Sequence, residues 1–168
     1  MDTEFFALDS EELRFIQSKH FKTKLQFAVM LKFFRIENRF PDNGDSITPE
    51  IIQLVSNQLE TNAKLAENID WENRTSERFR QEIRDFLGYR KAVITDSEKL
   101  IAWLIKDVLP QVPTVPQSCE QANQFFRDNK LESFTPRELE RYVRSASQKA
   151  IFLNGRQTTF GCDNKCIR

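Results

Sequence analysis

The segment LQFAVMLKFFRI, residues 25–36, constrains the fold most, because a helix built from it is apolar on almost every side. At about 100° per residue its large apolar side chains cover most of the helix circumference. A narrow strip of Lys24, Ala28, Lys32 and Arg35 remains. Helices that are apolar all round are normally buried, which favours a position at the centre of a bundle. The alternative use of this aromatic-rich helix is to form a groove for a ligand or a partner.

Helical periodicity also dominates the rest of the chain, and no convincing alternating strand interrupts it. We therefore predict an all-α fold, a multi-helix bundle with helix-turn-helix-like subdomains. The candidate helices are 9–19, 22–37, 49–60, a short turn near 63–67, 75–87, 96–109, 118–129 and 136–150. We predict a first subdomain over 1–92, a second over 93–150, and a tail of undefined structure over 151–168.

Several helices have recognisable start signals. Four residue pairs have the spacing of a capping box, and Thr48-Pro49 places a cap before a first-turn proline. The four pairs are Asp9 with Glu12, Thr95 with Glu98, Ser118 with Gln121, and Thr135 with Glu138. The proline-rich stretch 110–116 is predicted to be non-helical.

The charges are segregated along the chain, although 25 basic and 25 acidic residues cancel to a formal net charge of +0. Residues 14–39, 74–91 and 137–168 are predominantly basic, whereas residues 40–73 hold seven acids and one lysine. Salt screens the interaction between exposed charges that are more than roughly 8 Å apart. A contact with a charged partner therefore depends on the charges near it more than on the net charge of the chain. The net charge therefore does not exclude a polyanionic partner such as DNA.

Other features exclude several classes of protein. No apolar run approaches the ~20 residues that cross a bilayer, and the N-terminus lacks a signal pattern. A cytoplasmic protein without membrane contact is expected. The four glycines are too dispersed for a nucleotide-binding loop.

The arginine-rich helix from Arg74 is the first candidate DNA-binding element. Its apolar residues define an inward face, and Arg80, Gln81 and Arg84 are predicted to point outward, with Arg74 and Arg78 on the same basic helix. Guanidinium groups suit phosphate oxygens and guanine edges, because both accept two parallel hydrogen bonds. The competing interpretation is a solvated face of Glu–Arg pairs.

The helix from Pro136 carries the second candidate. Arg137, Arg141, Arg144 and Gln148 recur at i, i+4, i+7 and i+11 and project within a sector of about 60°, with Glu138 and Glu140 outside it. A solvated helix usually alternates charge signs, and this stripe does not. It is typical of the second helix of a helix-turn-helix unit. Phosphate contacts are also predicted, if these side chains are exposed, for Lys22, Lys24, Lys32 and Arg35.

The sequence predicts neither a catalytic site nor a metal or cofactor site. Cys162 and Cys166 lie four residues apart, but only Cys119 and His20 remain to complete a tetrahedral zinc site. His20 has no nearby nucleophile.

Five sequence blocks together resemble the N-terminal region of the large replicative DDE transposases of the Tn-three family, over about residues 8–147. They are ELRFIQSKH, LQFAVMLKFFRIENRFP, NRTSERFRQEIRDFLGYR, AWLIKDVLPQ and TPRELERYVRSA. The most diagnostic parts are Arg39-Phe40-Pro41, Phe86-Leu87-Gly88, Leu139-Glu140-Arg141 and Val143-Arg144-Ser145-Ala146.

This resemblance implies helical subdomains that bind double-stranded DNA at the terminal inverted repeats of a transposon, and a homodimer formed through the parent transposase. The family's catalytic region, with its three metal-binding carboxylates, has no counterpart here, because no mixed sheet is predicted. After about Ala150 the sequence departs from the family pattern, which suggests a truncated or frameshifted reading frame or a fragment. The rival hypothesis is a helical protein-interaction or assembly module without DNA binding.

Overall fold

Seven α-helices account for most of the described chain. The computed structural model describes residues 7–42, 47–111 and 114–159, and within these ranges it contains no β-strand. The helices are α1 (Ser10–Gln17), α2 (Lys24–Glu37), α3 (Pro49–Gln58), α4 (Arg74–Leu87), α5 (Ile94–Trp103), α6 (Val115–Asp128) and α7 (Pro136–Thr159). The predicted all-α fold is confirmed. No helix in the described ranges is both long and apolar enough to span a membrane.

Shorter helical segments complete this set. A 3-10 turn over Phe21–Thr23 leads into α2, and another covers Ala63–Asn68, where a short turn was expected. A π-helical segment, Leu104–Val108, continues α5. The chain divides into two compact units, Met1–Arg90 and Lys91–Arg168.

Helix α2 is the centre of the first unit, as its apolar sequence predicts. Ten consecutive residues from Leu25 to Phe34 are buried, and α1, α3 and α4 all pack against this helix. The Phe27 ring meets Phe15 and Phe79 edge to face, with centroids 5.2 and 5.0 Å apart. Such aromatic pairs contribute about 0.5–1.5 kcal/mol beyond the burial of their area. The apolar circumference of α2 therefore forms the core.

The second unit has its own core, to which α5, the π-helical segment, α6 and α7 contribute. Leu100 and Leu104 are fully buried with Phe126. Helix α7 adds Leu139, Val143 and Ala146 to the same cluster. Because these three residues lie on one face of α7, the opposite face of the helix is left to solvent.

Two of the predicted capping boxes are present. The Asp9 carboxylate accepts the Glu12 N–H at 2.8 Å, and the Glu12 carboxylate accepts the Asp9 N–H at 2.9 Å. The box at α7 pairs the Glu138 N–H with the Thr135 hydroxyl at 3.3 Å and the Thr135 N–H with the Glu138 carboxylate at 3.1 Å. Each box satisfies backbone donors that the first turn leaves without helical partners.

Two other predicted starts are wrong. Helix α5 begins at Ile94, one residue before Thr95, and Asp96 rather than Glu98 closes its first turn by accepting the Val93 N–H at 2.9 Å. Helix α6 begins at Val115, so Pro116 is helical. A proline is tolerated there because first-turn N–H groups have no helical acceptor in any case.

The last helix is longer than predicted. It continues past Ala150 to Thr159, nine residues beyond the expected end. Part of the segment expected to have no defined structure is therefore helical. Residues 160–168, which include Cys162 and Cys166, lie outside the described residues.

Candidate nucleic-acid interface

The basic stripe on α7 is the most complete candidate site in the described chain. We define it as Arg137, Arg141, Arg144 and Gln148, and all four side chains are exposed. They line an open groove of about 810 Å³, which Thr135, Glu138, Glu140 and Ser145 also border. At 1.5 Å of rise per residue the stripe extends for about 16 Å along the helix axis. This length and shape suit an extended polyanion.

The same helix fixes the orientation of the stripe. Leu139, Val143 and Ala146 anchor the opposite face in the second unit's core, where α7 packs against α5 and α6. The capping box at Thr135 sets where the helix begins. The arginines therefore project from a packed element, which limits the backbone entropy lost on binding.

Glu140 was expected to lie outside the angular sector of the stripe, but its side chain pairs with one member of the stripe. The Arg144 Nε–H and Nη2–H groups donate to one Glu140 oxygen, at 2.9 and 2.6 Å. The two residues are one turn apart, a spacing at which an arginine side chain reaches back across the helix surface. The sequence contained this signal, because Glu140 precedes Arg144 by four residues.

The other two arginines of the stripe differ from Arg144. The Arg141 guanidinium lies 5.6 Å from the Tyr142 ring centroid, a cation–π distance. Within the ranges that the structure describes, Arg137 has no ion-pair partner. Their charges thus remain available to an anion.

Helix α4 does not present its arginines as predicted. Arg84 is only 7% exposed, and its guanidinium lies 5.7 Å from the ring centroid of Phe40 and donates to the Gln81 amide oxygen at 3.0 Å. Arg80 lies over the same ring at 5.9 Å and donates to the Trp71 carbonyl at 3.1 Å. The chain around Phe40 covers this side of the helix. Arg80 and Arg84 therefore hold the first unit together rather than project outward.

The remaining α4 candidates are exposed. Arg74 begins the helix, and the Arg78 side chain is 65% exposed and pairs with Glu82 at 3.4 Å. The exposed Gln81 amide donates to the Asp85 carboxylate at 2.8 Å. This surface matches the competing interpretation, a solvated face of paired charges that salt and water weaken.

The cations of α2 that were expected to contact phosphates differ in burial. Lys24 is half-buried in the first turn, and Lys22 lies in the preceding 3-10 turn, its side chain being outside the described residues. Lys32 is buried and donates to the buried Glu12 carboxylate at 2.8 Å. Arg35 binds the other Glu12 oxygen at 2.8 Å. Lys32 therefore does not meet the condition of exposure on which its phosphate contact was expected, because its charge is buried against an acid.

No group of three or more metal-binding side chains occurs in the described part of the chain. Cys119 is half-buried, and burial raises the pKa of its thiol. A raised thiol pKa keeps the sulfur protonated, in the state that binds metals poorly.

Exposed apolar residues follow the stripe on α7. Ile151, Phe152 and Leu153 are 72%, 59% and 52% exposed. Val93 and Ile94, near the start of α5, are also exposed and line a smaller groove of about 500 Å³. Clustered exposed apolar side chains are a feature of interaction surfaces.

Comparison with known proteins shows that the chain matches a protein-family model. The family model described as "Domain of unknown function (DUF4158)" matches residues 3–146. No curated protein matches the chain.

Proposed function

Since the chain belongs to the DUF4158 family, a family of unknown function, we propose a function from its own residues: it is a DNA-binding module without catalytic activity. The observation that carries the proposal is the exposed stripe on α7, held by a packed helix and bordering an open groove. Arginine side chains presented along a helix are the chemistry that phosphate oxygens and base edges require.

The local arrangement supports docking of α7 in a major groove. Helices α6 and α7 pack together, and the stripe begins at the first turn of α7, the part of a recognition helix that enters the groove in helix-turn-helix proteins. The loop 129–135 between them is longer than in the compact motif. Helix α4, with Arg84 buried and Arg80 half-buried, has the smaller role in this proposal, through Arg74, Arg78 and Gln81.

The resemblance to Tn-three transposases supports a particular DNA, the terminal inverted repeats of a transposon. In that setting the module recognises the ends, the catalytic carboxylates belong to another region, and a homodimer forms through the parent transposase. A cytoplasmic location accords with such a role.

The proposal is tested by removing charge from the stripe. The double variant Arg137→Ala, Arg141→Ala should bind duplex DNA more weakly, and the slope of log affinity against log salt should fall by about 1 for each phosphate that the variant no longer binds. Fluorescence anisotropy with a labelled duplex, across a salt series, measures both quantities.

The matched control is Lys99→Ala, Lys106→Ala. Both lysines are exposed in the same unit and outside the stripe, so the net charge changes equally. Affinity and salt slope should stay close to those of the unmodified protein. Equal effects in the two double variants would show that the stripe is not the DNA-binding site.

An assembly module remains the second candidate, favoured by the exposed Ile151, Phe152 and Leu153 on α7. On this hypothesis the chain self-associates or docks a protein partner through apolar contacts. Sedimentation at low salt separates the two functions. Self-association with no detectable binding to any duplex would favour assembly and contradict the DNA-binding proposal.

A further inference from the structure

The ion pair with Glu140 distinguishes Arg144 from the other two arginines of the stripe, Arg137 and Arg141. Arg144 donates through Nε and Nη2 to a single carboxylate oxygen. A guanidinium has five N–H donors in a rigid plane, so three remain, among them the adjacent pair on the outer Nη1–Nη2 edge. Glu140 thus occupies one edge of the guanidinium and leaves the other free in a restricted orientation.

Charge argues against a phosphate as the ligand of Arg144. The pair has no net charge, and a carboxylate beside a DNA backbone repels phosphates. Arg137 and Arg141 have no acidic partner in the described residues and serve phosphate binding better. A base edge carries no formal charge, so its recognition depends more than phosphate binding does on the direction of the donors.

We propose that Arg144 is the base-reading residue of the stripe, that its ligand is the O6/N7 edge of a guanine in the major groove, and that Glu140 is the positioning residue that orients it. This rests on the proposed DNA-binding function. Two parallel hydrogen bonds from one guanidinium edge match guanine and no other base edge of the major groove. Both side chains are accessible, 63% exposed for Arg144 and 48% for Glu140.

The decisive variant is Glu140→Ala, Arg144→Ala, because it removes the pair without changing the net charge. The full chain is incubated with a randomised duplex library, and the bound fraction is sequenced. The selected motif should contain a G·C pair whose preference falls about 5- to 140-fold in the double variant, the factor that one bidentate contact supplies. Its salt slope should equal that of the unmodified protein. Circular dichroism verifies that helicity is retained.

The single variants separate positioning from simple repulsion. Glu140→Ala should weaken the preference for that G·C pair while affinity for random duplex rises, because a negative charge is removed and the arginine is no longer held. Arg137→Ala, the matched phosphate variant, should lower the salt slope by about 1 and leave the selected motif unchanged.

Three results would overturn the inference. A Glu140→Ala variant that binds all sequences more tightly with the same motif would show that the glutamate only repels DNA. Binding without any base preference would remove the base-reading role of Arg144 but leave the proposed function intact. Absence of salt-dependent binding in the unmodified protein would remove the proposed function itself, and the inference with it.

Discussion

Gly88 ends α4 in a conformation that other residues adopt at a cost. Its φ is +72°, in the left-handed region, and its N–H donates to the helix C-terminus. A Cβ added there would meet no atom within 4 Å. Backbone strain, without steric overlap, is therefore the whole penalty of a side chain at this position.

A Gly88→Ala variant should accordingly lose about 1–2 kcal/mol of unfolding free energy. Gly88→Asn is the control, because asparagine tolerates left-handed backbone better and should lose less. Urea denaturation of both variants measures the difference. An alanine variant as stable as the unmodified protein would contradict the strain argument.

For individual residues, helical periodicity did not predict which charged side chains are buried. Angular position on α4 placed Arg84 outward, but Phe40, distant in sequence, lies under its guanidinium. Lys32 was placed on a polar strip, yet Glu12 meets it inside the unit. Neither contact follows from helical periodicity, because each depends on which chain segment packs against the helix.

The N-terminal cap of α1 makes the stability of this helix depend on pH. The Asp9 carboxylate accepts the Glu12 and Glu11 N–H groups. The Glu12 hydrogen bond lowers the pKa of Asp9, and the charge of Arg35 lowers it further. Because the folded-state pKa lies below the unfolded-state value, the stabilisation is complete above the unfolded-state pKa and is lost as pH falls through the folded-state pKa.

We therefore expect Asp9→Asn, which keeps a good capping residue, to lose a little stability at pH 7 and progressively less as the pH falls below about 4. Urea denaturation at pH 7, 4 and 2.5 measures the difference from the unmodified protein. Glu98→Gln is the control, since Glu98 is exposed and caps no helix. A difference that stays constant with pH would contradict the role assigned to the carboxylate.

Element starts were predictable where a polar residue alone decides them. The boxes at Asp9 and Thr135 have a side chain of the preferred type at the cap. At α5 the cap is Val93, which no preference for polar caps would select, and Asp96 closes the turn from inside the helix. The end of α7 was missed because the sequence departs from the family pattern after Ala150, at Phe152-Leu153-Asn154-Gly155, yet Gly155 lies within the helix.

At the scale of the whole molecule, two cores divide the chain. One buried cluster lies within Met1–Arg90 and the other within Lys91–Arg168. No residue belongs to both clusters. Each unit therefore has the apolar interior that a separate cooperative unit requires.

A Phe126→Ala variant should lower the stability of the second unit by about 3–5 kcal/mol, because removing the fully buried ring leaves a cavity. Hydrogen exchange should show reduced protection in α5, α6 and α7, with little change in α1–α4. Phe79→Ala, also fully buried, is the reciprocal control and should affect the first unit. Equal loss of protection throughout the chain after either change would contradict independent cooperativity.

The sequence shows that the charges are segregated, but it does not show which basic segment is exposed. The basic stretch 74–91 is partly internal and partly paired, whereas the stripe on α7 is exposed throughout and only its Arg144 pairs with an acid in the described residues. Only three-dimensional packing separates these two outcomes, because both segments have a similar density of arginine.

Because α7 has two roles, the thermal stability of the second unit reports how much ligand is bound to the stripe. One face of this helix completes a core and the other carries the stripe, so a ligand on the stripe is released whenever the helix unfolds. Mass action then ties the melting temperature to ligand concentration, with about 2.7 kcal/mol gained at a hundredfold excess over Kd. A label-free thermal shift of the second unit can therefore rank candidate DNA sequences.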